Sequence, residues 1–238
     1  MIVAGIEVEL VQKEIKNLHL AVYPPDGRVR LAAPVEVNEK TLELYVISKI
    51  PWIRKQQRKF ANQNRQSPRK YMDRESHYFL GKRYLLRVHE TGHAYRSAKV
   101  EVKTKTYLDM YVKPDYTTEQ KAELLKEWYR AELKKVLAEL LPKWEKILGV
   151  QANEVKVQTM RTKWGSCNTE KGNLLFNIEL AKKPYDCIEY VVVHELAHLL
   201  ERTHNDNFIA YLDKYLPNWK HLKEELNSLP VGEVDWGY

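Results

Sequence analysis

The chain has 238 residues, 44% of them apolar and 30% charged, with a net charge of +7 and a pI near 9.1. That balance excludes wholesale disorder, and no window approaches the roughly 18 apolar residues of a membrane span, so no membrane partner is expected. Two cysteines, Cys167 and Cys187, exclude a disulfide framework, and MIVAGIEVELVQKEI lacks the basic start and apolar run of an export signal, so a cytoplasmic protein is expected.

From Ile2 to Val37 the pieces IEVEL, NLHLAVY and RVRLAAP alternate around turn-forming Pro24, Pro25, Asp26 and Gly27, which predicts antiparallel strands. Glu39 to Gln63 carries Leu42, Tyr45, Val46, Ile50, Ile53 and Phe60 at mostly helical spacing, with Pro51 as the expected break between two helices. The second of these opens a basic segment. Trp52 to Arg74 holds Arg54, Lys55, Arg58, Lys59, Arg65, Arg69, Lys70 and Arg74 against Asp73 alone. Such a run either contacts nucleic acid or an acidic membrane surface or is a solvated helix face.

HYFLGKRYLLRVHE and KVEVKTKTYLDMYVK alternate as a second β segment. Thr117 or Thr118 then caps a long amphipathic helix bearing Leu124, Leu125, Trp128, Leu133, Val136, Leu137, Leu140 and Leu141, closed by Gly149. VKVQTM and NLLFNIELA read as strands, linked by a loop from Arg161 to Gly172 in which Gly165 and Gly172 suit sharp turns. NLLFNIELA is either a sheet edge that pairs with substrate backbone or an ordinary core strand. Pro184 and Asp186 start a helix that buries Ile188, Val191, Val192, Leu196, Leu199 and Leu200, and Phe208 to Leu226 forms one or two more helices. The expected fold is α+β: an antiparallel, β-rich N-terminal region with helices over residues 1–116, then a catalytic domain over 117–238.

The chemistry concentrates in VVVHELAHLLERTH, residues 191–204. His194 and His198 stand four apart on a predicted helix, so both imidazoles project from one face and can share one Zn2+. Glu195 falls beside that metal, placed to take a proton from the attacking water and deliver it to a leaving amine. A catalytic zinc needs a third protein ligand. His204 supplies it if the helix ends near Glu201 to Thr203, and Glu224 or Glu225 is the alternative. Phe208 is expected to staple the following helix against this one, and Glu201 or Asp206 to accept a ring N–H of a ligating histidine. Arg161, Lys163 and Tyr211 are the candidate donors for the developing oxyanion. Trp164 reads as a packing anchor and Cys167 as a small buried residue, with a fourth, inhibitory ligand as the other role for Cys167.

Three functions fit these residues: a zinc peptidase acting on peptides or proteins, a nucleic-acid-associated protein that uses segment 52–74 and cleaves bound proteins, and a zinc-stabilised module without catalysis. The histidine spacing equals that of the metzincins, but Glu201 stands where their turn glycine would be and no Met-turn follows. The fuller string, RTKWGSC at 161–167, NLLFNIELA at 173–181 and YVVVHELAHLLERTHNDNF at 190–208, resembles the YgjP-like metallopeptidases, also called the DUF45 or WGSC-type family. The N-terminal strands and the helix with PWIRK are similar to that family's preceding region, and Gly92 to Thr106 fits less well. The resemblance implies a zincin-like catalytic domain related to the SprT-like peptidases, with His194, His198 and His204 as zinc ligands on and after the HExxH helix and Glu195 as catalytic base. It implies no particular substrate.

Overall fold

The structure is a computed structural model that describes residues 1–23, 26–61, 69–90, 98–160 and 163–228. It is a mixed α+β protein that divides into two compact units, Met1–Asn64 and Arg65–Tyr238. No described helix is long and apolar enough to cross a membrane.

In the first unit, strands β1 (Ile2–Val3), β2 (Ile6–Lys13), β3 (His19–Tyr23) and β4 (Arg28–Pro34) form one sheet in the order β1-β2-β4-β3. The expected all-antiparallel arrangement is corrected here. β3 and β4 form an antiparallel hairpin, but β2 runs parallel to β4, because alternation tells which face is buried and not which strand lies alongside. Helix α1 (Glu39–Ala61) covers the sheet's inner face, where Val29, Leu31 and Ala33 of β4 meet Leu42, Val46 and Ile53. The break expected at Pro51 is also corrected: the proline sits inside one continuous helix. Its missing N–H and ring clash cost roughly 3 kcal/mol. Full burial of Leu42, Val46 and Ile53 offsets that, at roughly 1.5–3 kcal/mol each. Of the basic segment, Trp52, Arg54, Lys55 and Arg58 are exposed on the second half of α1, residues 62–68 lie outside the described residues, and Arg69 pairs with Glu75 at 3.7 Å.

The second unit has one continuous core. Strands β5 (Ser76–Phe79), β6 (Lys82–Glu90), β7 (Lys99–Glu101) and β8 (Tyr107–Val112) make a sheet in the order β5-β6-β8-β7. Helix α2 (Thr118–Leu148) is capped by Thr117 and ends at Gly149, within what its sequence predicts, and the structure adds a reciprocal capping box between Thr117 and Gln120. Leu86, Leu108 and Met110 of the sheet share a core with Leu125, Leu133 and Leu140 of α2. The compact units therefore divide at 64/65, whereas a boundary at 116/117 would cut between that sheet and the helix packed on it.

Three further strands, β9 (Glu154–Gln158), β10 (Gly165–Asn168) and β11 (Asn173–Asn177), form a small sheet in the order β10-β11-β9. The stretch expected as a loop from 161 to 172 thus contains a strand, and IELA continues β11 as a 3-10 helix over Ile178–Lys182. Helices α3 (Tyr185–Ala197), α4 (Asp206–Tyr215) and α5 (Trp219–Ser228) follow. The tip of the β5–β6 hairpin pins the start of α3, with Leu80 N–H donating to Ala181 O at 2.9 Å and Gly81 N–H to Lys182 O at 3.2 Å.

Candidate metal centre

Helix α3 carries the histidine pair at its C-terminal end. Its buried face, Cys187, Ile188, Val191, Val192 and Leu196, sits in the core and fixes the rotation of the helix. That rotation turns His194 and His198 toward a cleft of about 1000 Å³ whose walls also include β10. The helix stops at Ala197 with His198 as its C-cap, several residues earlier than the sequence suggests. Turn bonds from Leu199, Leu200 and Glu201 N–H close it off, and the Glu201 carboxylate accepts from Thr203 N–H and Oγ at 3.3 Å each. Asn205 caps α4 by accepting from Phe208 N–H at 3.1 Å. Between these two anchors the chain folds back and brings His204 to the pair.

The three imidazoles form the one group of candidate metal ligands among the described residues, each with a ring nitrogen within 4.8 Å of the others. Glu224 and Glu225 on α5 are outside it, as is Cys167. His194 Nε2 and His204 Nε2 are 3.0 Å apart. In a tetrahedral zinc site with bonds of 2.0–2.1 Å, ligand nitrogens are separated by roughly 3.3 Å, so the donor set fits a small divalent ion. His198 Nδ1 lies 3.1 Å from Glu201 O. A carbonyl only accepts, so this nitrogen carries the proton and Nε2 keeps its lone pair. The expected partner Glu201 therefore acts through its backbone, while its carboxylate holds Thr203.

Phe208, 1% exposed, underlies the whole cluster. Its ring centroid is 5.0 Å from that of His194, 4.7 Å from His198 and 4.8 Å from His204. It is thus the apolar floor of the three rings as well as a staple for α4. Burial, then the neighbouring His198 and His204, pushes the His194 pKa down to about 3, and burial also lowers that of His198. Both rings are therefore neutral bases near pH 7, the form that binds a metal.

Glu195 is 6% exposed. Burial pushes its carboxyl up to about 7, opposed by the Lys163 charge. The space it occupies exists because position 165 has no side chain. A Cβ on Gly165 would stand 2.6 Å from Glu195 Oε1, 2.7 Å from Cγ and 2.9 Å from Cδ. Gly172 does take the left-handed backbone its turn requires, at φ 66. Gly165 does not, so its role is close approach to the carboxylate and not the turn that its position suggests.

A residue that sequence reasoning passed over holds this wall in place. The buried Asn177 side chain donates through Nδ2 to Met160 O and Lys163 O, both at 2.9 Å, and accepts through Oδ1 from Met160 N–H at 3.4 Å and Glu179 N–H at 3.2 Å. Its own N–H donates to Trp164 O at 2.9 Å. It ties together both ends of the segment that leads into β10, and the only sequence signal was an asparagine at a strand end before an acidic residue, where it caps the 3-10 helix. Trp164 is half-buried, packs on the core and lies 5.1 Å from Lys183 Nζ. Of the three candidate oxyanion donors, Lys163 lines the cleft, Tyr211 does not, and Arg161 lies outside the described residues. Cys167 lines the cleft as a half-buried thiol, its pKa raised to about 11 by burial and by Glu195.

No curated protein sequence matches the chain. Among solved structures, the metallopeptidase zymogen abylysin of Pyrococcus abyssi aligns at 22% identity over 38% of this chain and 90% of that one, with a TM-score of 0.36. The metallopeptidase zymogen jannalysin of Methanocaldococcus jannaschii aligns at 18% identity over 39% of this chain and 91% of that one, with a TM-score of 0.33. The model of the YgjP-like metallopeptidase domain matches residues 16–229, so the chain belongs to the YgjP-like metallopeptidase family and is a metal-dependent peptidase.

Proposed function

We propose that this chain hydrolyses peptide bonds with zinc held by His194, His198 and His204, in a zincin-like catalytic domain whose general base is Glu195. The observation that carries this reading is the convergence of three imidazoles, those of His194, His198 and His204, next to the buried Glu195 carboxyl of α3. When bound, zinc supplies Lewis acidity that polarises the scissile carbonyl and eases loss of a proton from water near neutral pH. Glu195 accepts that proton at its carboxylate and returns it to the departing amine nitrogen. A carboxyl held well above its usual range keeps the proton between the two steps instead of losing it to solvent. Gly165 and Asn177 keep the carboxylate's surroundings in register.

Substrate backbone is proposed to pair with the edge of the small sheet. NLLFNIELA is not that edge: β11 lies between β9 and β10. β10 is an edge strand, and all four of its residues line the cleft, which Glu154 and Lys156 of β9 and Asn173 and Leu175 of β11 also line. Backbone pairing there holds an extended peptide whatever its side chains. The nucleic-acid reading has less support, since Arg69 of the basic segment is engaged by Glu75.

Metal analysis of the purified protein, with casein or peptide-library digestion on the same samples, tests the proposal. We expect one zinc per chain, chelator-sensitive cleavage, less zinc in His204→Ala, and retained zinc without cleavage in Glu195→Gln. A wild-type protein that takes up no zinc refutes the centre, and zinc without any cleavage leaves a structural site.

A further inference from the structure

The charges around the cleft point to the kind of peptide that enters it. Four cations line it, Lys156, Lys163, Lys171 and Arg202, and besides Glu195 two carboxylates, Glu154 and Glu170. Glu154 is already engaged, by Lys156 at 2.8 Å and by Asn173 Nδ2 at 3.3 Å. Among the described residues, Lys163, Lys171 and Arg202 have no carboxylate within ion-pair distance. This is unlike much of the same unit's surface, where Lys126, Arg130 and Lys135 each pair with a glutamate three residues before them. Unpaired cations around a site for a divalent ion weaken metal binding by repulsion, and among the described residues no ion pair offsets them.

Their placement brackets the edge strand. Lys163 stands two residues before β10 and Lys171 three residues after it, and four strand residues span roughly 13 Å. Arg202 comes from the turn between His198 and His204, on the metal side. The Lys163 charge is felt at both Glu195 and His198, which sets it close to the reacting centre. An extended segment laid along β10 would therefore meet a cation at each end and a third across the cleft.

We infer that the cleft selects acidic polypeptide segments, with Lys163, Lys171 and Arg202 as specificity-determining residues; this rests on the peptidase reading of the site. Each exposed ion pair changes affinity a few-fold at most, and three in one concave cleft raise the preference to about tenfold.

Two fluorogenic peptides with the same apolar pair at their centre, one flanked by Asp and Glu and the other by Lys and Arg, test this. Wild type and the triple variant Lys163→Glu, Lys171→Glu, Arg202→Glu are compared at low and high salt, with metal content measured on each. The expected result is an acidic-over-basic ratio of kcat/KM of about ten for wild type, falling toward one at high salt and inverting in the triple variant. Equal cleavage of both peptides at low salt, or a preference that survives charge reversal, overturns the inference while the peptidase stands. Labelled versions of both peptides are also titrated onto Glu195→Gln by fluorescence anisotropy. Selective binding of the acidic peptide without cleavage by wild type keeps the charge selection and sinks the peptidase reading, whereas equal binding sinks the selection.

Discussion

Glu195→Gln in the metal-free protein should be more stable than wild type at alkaline pH. Burial holds the carboxyl at about 7, against 4.5 for an ordinary glutamate. At 1.36 kcal/mol per tenfold change in proton affinity, ionising Glu195 inside the fold costs about 3 kcal/mol more than ionising it in the unfolded chain. Below pH 4.5 both states hold the proton and the penalty is absent. As pH rises from 4.5 to 7 the unfolded chain ionises first, the folded state loses relative stability, and above 7 the full penalty applies. Glutamine has nearly the same shape and no charge to bury. The variant's advantage should therefore be near zero at pH 4.5 and reach about 3 kcal/mol at pH 8. For a domain of this size that is roughly 6–12 °C in Tm. Thermal unfolding in chelator, followed by tryptophan fluorescence, reads it, because Trp52 is the sole tryptophan of the first unit. Adding zinc should shrink the difference, since a cation beside Glu195 favours its ionised form. An advantage of the same size at pH 4.5 and pH 8, or none at pH 8, would refute the account of a carboxyl destabilised by burial.

Gly165→Ala is expected to lower kcat by about 100-fold or more while zinc content holds, because the new methyl displaces the Glu195 carboxylate and leaves the histidines alone; unaltered turnover would mean that the carboxylate has room to yield. Asn177→Ala leaves two carbonyls, those of Met160 and Lys163, without their donor. A loss of about 1–2 kcal/mol in urea unfolding should result, together with a lower kcat as the wall beside Glu195 loosens. Phe208→Ala should cost about 3–5 kcal/mol and weaken zinc retention in competition with a chelator, since it removes the surface on which all three imidazoles rest. Zinc affinity equal to wild type in that variant would assign Phe208 to the core alone.

Local signals account for what could be read before the structure. The ends of α2 were legible because a capping threonine and a terminal glycine act within one turn. The pairing of His194 with His198 was legible because helical periodicity alone puts them on one face. What stayed hidden depends on partners distant in sequence. Parallel alignment of β2 with β4, and the edge position of β10, follow from sheet order, which alternation does not encode. Pro51 looks like a break because its local cost is known and the compensating burial is not. Gly165 and Glu195 are thirty residues apart, and only the packing of β10 against α3 reveals that one residue must be small for the other to be buried there. Asn177 is similar: four hydrogen bonds from one side chain, to Met160, Lys163 and Glu179, leave no more trace in sequence than an ordinary cap.

The short edge strand has a consequence for how copies of this protein behave toward each other. A strand edge that can grip a peptide backbone can also grip its twin, and such pairing would seal the cleft in a dead dimer. Two β10 strands aligned antiparallel would bring Lys163 of one copy to the end where Lys171 of the other stands. That meeting of like charges, on a stretch only four residues long, would oppose such pairing.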